Sequence, residues 1–317
     1  MARLAALCVA FLSALPLGAL AAGHGPRVVV LKSADRAAYA SVVAGFSAEV
    51  KGEVQELTLD ESGDAQRANA RLLEKLSQDR PAMVLAVGPT AANAAKRALP
   101  QVPIVFCMVP YYEKYALEGP NITGIAMTSD FSVELSLLEA LGPQYRRIGI
   151  LHDPRYSAER IDEARKQARD RAMTIVPLEA DTAEKAERVL VNAADKVDAL
   201  VMVADKTVAT ESVVRELIAV SQKSKAPLVA ISPTEVQEGA LLSIAPTPTG
   251  IGQQAGRLAN RLIHEKVDAG ALAVARPEIV EVSLNLSTAK KLGNISDLAQ
   301  ELFKLSAARG YPIKVYP

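Results

Sequence analysis

The chain contains one pattern of strands and helices twice. Six short apolar runs rich in β-branched residues are candidate strands: PRVVVL, PAMVLAVG and VPIVFCMV in the first half, and RRIGILHD, VDALVMVAD and APLVAIS in the second. Runs of this kind indicate strands that are buried on both faces of a sheet. Equivalent positions are separated by 120, 116 and 124 residues, measured from Val28 to Ile148, from Met83 to Ala199 and from Ile104 to Leu228. An offset this constant predicts two lobes of one architecture.

Helical stretches separate most of the candidate strands. They include a segment that ends at Glu49, the stretch PTAANAAKRAL, a charged helix from about Ser157 to Met173 and a helix that continues through Val220. Strands that alternate with helices of this length form parallel sheets with right-handed crossovers. We therefore predict an α/β protein of two Rossmann-like lobes with parallel sheets.

The chain is predicted to cross between the lobes several times. The segment EGPNITGIAM (118–127) carries Gly, Pro and Asn where the first lobe should end. One more helix, 251–266, follows the segment GALLSIAPTPTG. It is followed by the extended run RPEIVEVSLNL and by an isolated terminal helix from Ser296 to Gly310. Several crossings make a multi-crossover hinge, which we expect to close around a ligand near Gly124, Ala245 and Val280.

The N-terminal segment has the features of an export signal. Arg3 precedes the apolar run from Leu4 to Leu15, and the segment ends in the small-residue pattern around Ala21. This predicts a signal peptide over residues 1–21 that is cleaved on secretion to the periplasm, because the apolar run is too short to span a bilayer. Cleavage would leave Cys107 as the single thiol, so no disulfide is expected.

The composition excludes several functional classes. The chain has 317 residues with 36 Lys and Arg against 36 Asp and Glu, and this zero net charge argues against a nucleic-acid partner. Two Cys are too few for a thiolate metal cluster, and the sequence has neither a Gly-Lys-Ser/Thr phosphate loop nor a His-Glu-x-x-His pair. We therefore expect no cofactor, no metal and no enzymatic activity.

Two motifs could suggest chemistry, but each has a simpler interpretation. GIGQQAG (250–256) has three residues rather than two before its last Gly, so a glycine-rich helix packed tightly at a hinge is favoured over a dinucleotide site. His152 and Asp153 could form an acid–base pair, but no Ser or Cys lies in a nucleophile context. A turn-stabilising Asp before Pro154 is favoured for that pair.

Ligands in open α/β sheets bind beyond the carboxyl ends of the strands, and the residues at those positions are the predicted site. The predicted ligand-binding residues are Ser33, Gly88, Pro89, Thr90, Pro110, Tyr111 and Tyr112 of the first lobe, and Tyr156, Ser157, Asp205, Lys206 and Ser232 of the second. The backbone amides of the helix start at Gly88-Pro89-Thr90 and the Thr90 hydroxyl could hold an anionic group, and Asp205 could pair with a cation. Each residue could instead be a helix cap, Thr90 and Asp205 especially. The tyrosines are expected to contact a flat ligand, unless they are lobe-surface packing.

The sequence resembles the periplasmic substrate-binding components of ABC importers, in particular the group related to the tryptophan-binding TrpX type. The residues that carry the resemblance are VPIVFCMV with GPNITGIAM, RRIGILHDPRYS, VDALVMVADKTVAT, EGALLSIAPTPTGIGQQAGRLANRLI and the closing VSLNLSTAKKLG. The resemblance implies the type I periplasmic binding fold, with lobe one formed by 22–127 plus 244–278 and lobe two by 128–243 plus 279–317. Two departures lie where specificity should be determined. Gly88-Pro89-Thr90-Ala91 replaces the usual Gly-Thr-Pro-Ala, and Val109-Pro110-Tyr111-Tyr112 replaces a segment with Asp-Pro.

Two functions are consistent with these features. The first is a monomeric periplasmic receptor that closes on a small polar organic solute, such as an amino acid or an aromatic amino-acid-like compound, and docks on the membrane permease of an ABC transporter. The second is a periplasmic sensor or accessory binding protein of the same fold that is not coupled to transport. The residues do not distinguish the two, whereas adjacency to permease and ATPase genes would.

Overall fold

The computed structural model describes residues 25–60, 62, 65–128, 130–293 and 295–317. The predicted signal peptide lies outside the described residues. The described chain forms two α/β lobes, each built on its own sheet, which confirms the predicted fold class. No helix in these ranges combines the length and apolarity needed to cross a lipid bilayer.

Lobe one contains a five-stranded parallel sheet in the order β2-β1-β3-β4-β5. Its strands are β1 (Arg27–Lys32), β2 (Glu53–Thr58), β3 (Met83–Val87), β4 (Ile104–Cys107) and β5 (Ile122–Gly124). Its helices are α1 (Ala37–Glu49), α2 (Gln66–Asp79), α3 (Pro89–Ala98) and, from later in the chain, α9 (Pro248–His264). Helices α1 and α9 cover one face of the sheet, and α2 and α3 cover the other. The central strands are therefore buried on both sides, as their continuous apolar runs predicted.

Lobe two contains a seven-stranded sheet in the order β12-β11-β10-β9-β8-β6-β7. Its strands are β6 (Arg147–His152), β7 (Thr174–Glu179), β8 (Ala199–Met202), β9 (Leu228–Ala230), β10 (Leu242–Pro246), β11 (Val280–Asn285) and β12 (Ile313–Tyr316). Its helices are α4 (Phe131–Leu141), α5 (Pro154–Arg169), α6 (Ala183–Ala193), α7 (Glu211–Ser224), α8 (Pro233–Glu238), α10 (Leu286–Leu292) and α11 (Ile295–Arg309). Strand β11 runs antiparallel to β10, so this sheet is mixed rather than purely parallel.

The structure differs from the sequence-based expectation at the C-terminus and in α5. The chain does not end in an isolated helix, because α11 is followed by β12, which pairs with β11 at the edge of the second sheet. Helix α5 begins at Pro154, three residues earlier than predicted, and Ser157 interrupts it with non-helical angles of φ −136° and ψ 15°.

The chain passes between the lobes at three places. It leaves β5 for α4, leaves β10 of lobe two for α9 of lobe one, and returns from the segment around Ala275 to β11. The first and third crossings lie side by side, because the Ala126 amide donates to the Ala275 carbonyl oxygen at 2.9 Å. The division of the chain into lobes at 127, 243 and 278 remains a prediction. All five residues of β10 lie in the lobe-two sheet, on both sides of the predicted boundary at 243.

The glycine-rich motif lies in α9, where that helix packs closely against α1. A Cβ atom on Gly252 would overlap the Val42 carbonyl oxygen, and one on Gly45 of α1 would overlap the Thr249 carbonyl oxygen. A Cβ atom on Gly256 would lie 2.9 Å from the Phe46 carbonyl oxygen. The two backbones therefore approach each other at a distance that only glycine permits. This confirms the packed-helix interpretation of GIGQQAG.

Candidate functional site

The first wall of the site lies where β1 and β3 of lobe one end. The Ser33 hydroxyl oxygen accepts a hydrogen bond from the Ala91 amide at 2.9 Å, and it is buried there at the start of α3. Gly88 has φ 92°, and its amide donates to the Cys107 carbonyl oxygen at 2.9 Å. Two of the amides that we predicted for an anionic group are thus engaged within the lobe. Pro89 occupies the first turn of α3, where its missing N–H costs no hydrogen bond.

The loop after β4 carries backbone conformations that are rare outside glycine. Met108, Tyr111 and Ala116 have φ angles of 55°, 52° and 44°. Pro110 is exposed in this loop, and the Tyr112 ring packs against Phe106 with centroids 5.3 Å apart. Left-handed angles at three non-glycine residues persist only where the surrounding contacts hold them. The loop therefore presents its side chains in a fixed arrangement.

Tyr111 lies close to the charged residues of lobe two. Its side chain is half-buried. Burial, together with the negative charge of Asp205, raises the pKa of Tyr111 to about 12. The Tyr111 phenol therefore stays protonated at neutral pH.

Asp205 joins two loops of lobe two and is inaccessible to solvent. Its carboxylate accepts hydrogen bonds from the Asp153 amide at 3.0 Å, from the Ser157 hydroxyl at 2.6 Å and from the Thr207 amide at 2.9 Å. Helix α7 begins only at Glu211, so Asp205 does not cap it. The carboxylate instead connects the segment after β6 to the segment after β8.

Asp153 caps α5, as the turn interpretation predicted. Its carboxylate accepts from the Arg155 amide at 3.0 Å, from the Arg155 guanidinium and from the Thr207 hydroxyl at 2.7 Å. These hydrogen bonds, that of Arg155 first, hold the pKa of Asp153 well below its usual range. Asp153 is therefore a fixed anion, and it makes no hydrogen bond to His152 among the described residues.

His152 is buried next to this network without a hydrogen-bond partner. Its side chain is 3% exposed, and neither ring nitrogen has a partner in the described part of the chain. Burial lowers the pKa of His152 below 6.5. The imidazole is therefore mainly in its neutral form at pH 7.

Tyr156 of lobe two is surrounded by cations from both lobes. The Lys114 Nζ atom of lobe one lies 3.6 Å from the Tyr156 ring centroid, and the Lys206 Nζ atom of lobe two lies 4.5 Å from it. Lys114 also lies 4.7 Å from the Tyr111 ring centroid. Lys114 thus lies over the rings of both Tyr111 and Tyr156, which belong to opposite lobes. The sequence analysis missed this lysine, although it follows Tyr112 by only two residues.

Two predicted site residues remain: Thr90 is exposed in the first turn of α3, and Ser232 is a helix cap. The Ser232 hydroxyl oxygen accepts from the Thr234 amide at 3.3 Å at the start of α8, and the hydroxyl bonds to the Glu235 carboxylate. The Glu235 carboxylate accepts from the Ser232 hydroxyl and not from the Ser232 amide, so this is a side-chain N-cap rather than a full capping box. The predicted residues therefore separate into local caps, represented by Ser232, and groups that face the opposite lobe, represented by Tyr111 and Tyr156.

Comparisons with known proteins agree with this architecture. A family model described as "ABC transporter substrate binding protein" matches residues 33–304. The chain is 22% identical over 229 residues to a tyrosine-binding protein of Clostridioides difficile. That match covers 70% of this chain and 66% of the relative, so the chain spans slightly less than two thirds of the relative's length.

Two solved structures share the fold. The open, ligand-free form of a Clostridium difficile substrate-binding protein with adhesive properties has a TM-score of 0.68 at 18% identity, over 84% of this chain and 95% of that one. A Streptococcus pneumonia protein solved in complex with L-Trp has a TM-score of 0.57 at 18% identity, over 91% of this chain and all of that one. At these identities the likeness establishes the fold alone.

Proposed function

Because the chain belongs to the ABC transporter substrate-binding protein family, we propose that it is the periplasmic receptor of an ABC importer and closes its two lobes on a small organic solute. Three chain crossings between two separately packed lobes support hinge closure, since crossings of this kind permit rotation without disrupting either core. In this proposal the closed form docks on a membrane permease and releases the solute unchanged, without chemical conversion.

The ligand we propose is an amino acid, preferably one with an aromatic side chain. The observation that carries this proposal is the convergence of Tyr111 and Tyr156 from opposite lobes on one position, marked by the Lys114 ammonium. An aromatic side chain of the ligand that packs against either tyrosine ring gains about 0.5–1.5 kcal/mol per aromatic pair beyond the burial of its surface. The tyrosine-binding relative and the L-Trp complex support the same ligand class.

Asp205 supplies the negative charge for the ligand's ammonium group in this proposal. Its carboxylate is fully buried, but its charge reaches Tyr111 in the opposite lobe. We therefore propose that the negative charge of Asp205 attracts the ligand's ammonium group electrostatically, without direct contact. The three hydrogen bonds to Asp205 hold the segment after β6, which carries Tyr156, in position. Ser157, which donates one of those bonds, orients the carboxylate.

The test begins with native mass spectrometry of the purified protein to identify any retained solute. Calorimetric titration with L-tyrosine and L-tryptophan follows, together with X-ray scattering with and without each ligand. We expect micromolar or tighter binding of at least one aromatic amino acid and a contraction of the scattering curve. Titration of a wider panel of small solutes without any binding or contraction would refute the receptor function.

A pair of variants tests the position of the ligand. Tyr156→Ala should weaken binding about tenfold, because it removes an aromatic face and the burial that goes with it. Tyr316→Ala is the matched control, since Tyr316 lies in β12 at the far edge of the second sheet. Equal dissociation constants for wild type and Tyr156→Ala would remove Tyr156 from the site.

A further inference from the structure

Two lysines from opposite lobes converge on one aromatic ring in the cleft. The Nζ atoms of Lys114 and Lys206 lie 3.6 and 4.5 Å from the Tyr156 ring centroid. Their separation cannot exceed the sum of these two distances, which is about one Debye length at physiological ionic strength. The two ammonium groups therefore repel each other, and this repulsion opposes the approach of the lobes.

Among the described residues, Lys114 and Lys206 form no ion pair with a carboxylate. The two buried carboxylates of lobe two are engaged elsewhere, since Asp153 pairs with Arg155 at 2.5 Å and Asp205 accepts three hydrogen bonds. The Tyr156 ring is the contact that the two lysines share, and a ring face compensates an exposed cation only weakly.

The position of Lys114 is set by the backbone rather than by a flexible surface loop. Its amide donates to the Tyr111 carbonyl oxygen at 3.0 Å, and Tyr111 has a left-handed φ of 52°. This turn brings the Lys114 side chain over the Tyr111 ring and towards lobe two. The amides of Gly88 and Ala91, the other candidates for an anion, are already bonded within lobe one.

We propose that the cleft binds a negatively charged group of its ligand between Lys114 and Lys206, next to the Tyr156 ring. This inference rests on the proposed function, because it concerns the solute that the two lobes enclose. An anion between the two ammonium groups converts their repulsion into attraction for both lobes at once. The ligand's negative charge is then required for closure as well as for affinity, and Lys114 and Lys206 are the residues that select it.

The anionic group could be the α-carboxylate of an amino acid or the acidic group of a different solute. Three probes distinguish these sources: L-tyrosine, L-tyrosinamide, which lacks the α-carboxylate charge, and citrate. Each is titrated at constant ionic strength, with thermal unfolding and X-ray scattering as readouts. Binding of L-tyrosine assigns the anion to an α-carboxylate, and binding of citrate alone assigns it to an acid other than an amino acid. We expect L-tyrosinamide to bind at least about tenfold more weakly than whichever of L-tyrosine and citrate binds.

Single-residue variants test the two lysines separately. Lys114→Gln and Lys206→Gln should each weaken binding of the anionic probe about tenfold, and Lys114→Arg should restore most of the loss at position 114. Lys223→Gln is the matched control, because Lys223 is exposed at the opposite end of α7. Raising the salt concentration should weaken binding to wild type more than to either variant, since screening acts on the charges that the variants remove.

Three results would overturn the proposal. These are equal binding of L-tyrosine and L-tyrosinamide, unchanged affinity of both glutamine variants for the probe that binds, and no response of the wild-type protein to either L-tyrosine or citrate. Closure on a neutral or cationic solute from a wider panel would overturn the anion site and leave the receptor function intact. Failure of the lobes to close on any solute would instead overturn the receptor function.

Discussion

Replacement of Asp205 by alanine tests whether its carboxylate joins the two loops of lobe two as the structure indicates. The substitution removes the acceptor of three hydrogen bonds, donated by the Asp153 amide, the Thr207 amide and the Ser157 hydroxyl. The Ser157 hydroxyl keeps a second acceptor, the Asp153 carbonyl oxygen at 3.2 Å. Two backbone amides therefore lose their partners in a region from which Asp205 itself is fully excluded from water.

The size of the effect follows from these two amides. A buried donor without a partner costs about 1–3 kcal/mol, and hydrogen bonds to a charged acceptor are at the upper end of that range. Asp153 is buried and Thr207 is half-buried, so we expect Asp205→Ala to lower the free energy of unfolding by about 3–5 kcal/mol. Asp205→Asn keeps one carbonyl oxygen for the Asp153 and Ser157 donors but points its NH₂ group at the Thr207 amide. We expect a smaller loss, about 1–2 kcal/mol.

Equilibrium unfolding in urea, followed by circular dichroism, measures both losses. With a slope of about 2 kcal/mol/M, the alanine variant should unfold at a urea concentration about 1.5–2.5 M lower than the wild type. Asp162→Ala is the control, because Asp162 is a 75% exposed residue of α5 that pairs with Arg165 one turn away. Its change should stay within about 0.5 kcal/mol. An alanine variant at position 205 that unfolds within about 0.5 kcal/mol of the wild type would refute the reasoning.

Four further measurements test other parts of the structure. If Asp205 attracts the ligand's ammonium, Asp205→Asn should weaken binding of a zwitterionic ligand, and equal dissociation constants would leave it as a structural residue alone. Burial lowers the pKa of His152 in the folded state, so the unfolded chain binds a proton at this residue more readily than the folded protein does. The free energy of unfolding should therefore be highest above pH 6.5 and decrease as the pH falls towards the lowered pKa. His152→Gln should flatten this decrease, and identical pH profiles for variant and wild type would contradict it. Gly252→Ala should lower stability by more than about 2 kcal/mol, because its Cβ overlaps the Val42 carbonyl oxygen, and a thermal scan indistinguishable from wild type would contradict the close helix contact. The protein lacking residues 1–21 should be recovered as a monomer from an aqueous extract on gel filtration, and recovery only from detergent-solubilised membranes would contradict the predicted signal peptide.

Most internal strands were predicted from the sequence, whereas the internal strand β10 and the edge strands were not. A strand with helices on both faces must be apolar at every position, so β1, β3 and β6 read as continuous apolar runs. Strand β2 lies at a sheet edge and carries Glu53, Gln55 and Glu56, and edge strand β7 contains Pro177. An edge strand needs only one side buried and one side paired, so its sequence resembles that of a loop.

The location of the candidate site was predictable in outline. Parallel strands bring their carboxyl ends to one edge, and this rule indicated Tyr111, Tyr156 and Asp205 as neighbours of one cleft. It could not separate a residue that caps its own helix, such as Ser232, from one that faces the opposite lobe. Ser232 finds its hydrogen-bond donor two residues along the chain, whereas Tyr156 contacts Lys114 of the other lobe. Strand-end position alone does not tell these two cases apart.

The sequence by itself determined which segments are buried, how many times the chain repeats its architecture and where the strands end. Each of these properties depends on the apolar or polar character of neighbouring residues, which is written locally along the chain. Only the tertiary structure decided that the Asp205 carboxylate bonds to the segment after β6, and that Lys114 of lobe one lies over the Tyr156 ring of lobe two. Such contacts join positions about 40 to 50 residues apart, and they depend on strand order, on the left-handed turn at Tyr111 and on the relative position of two lobes. The pattern of burial does not encode those quantities, because many different pairings bury the same residues.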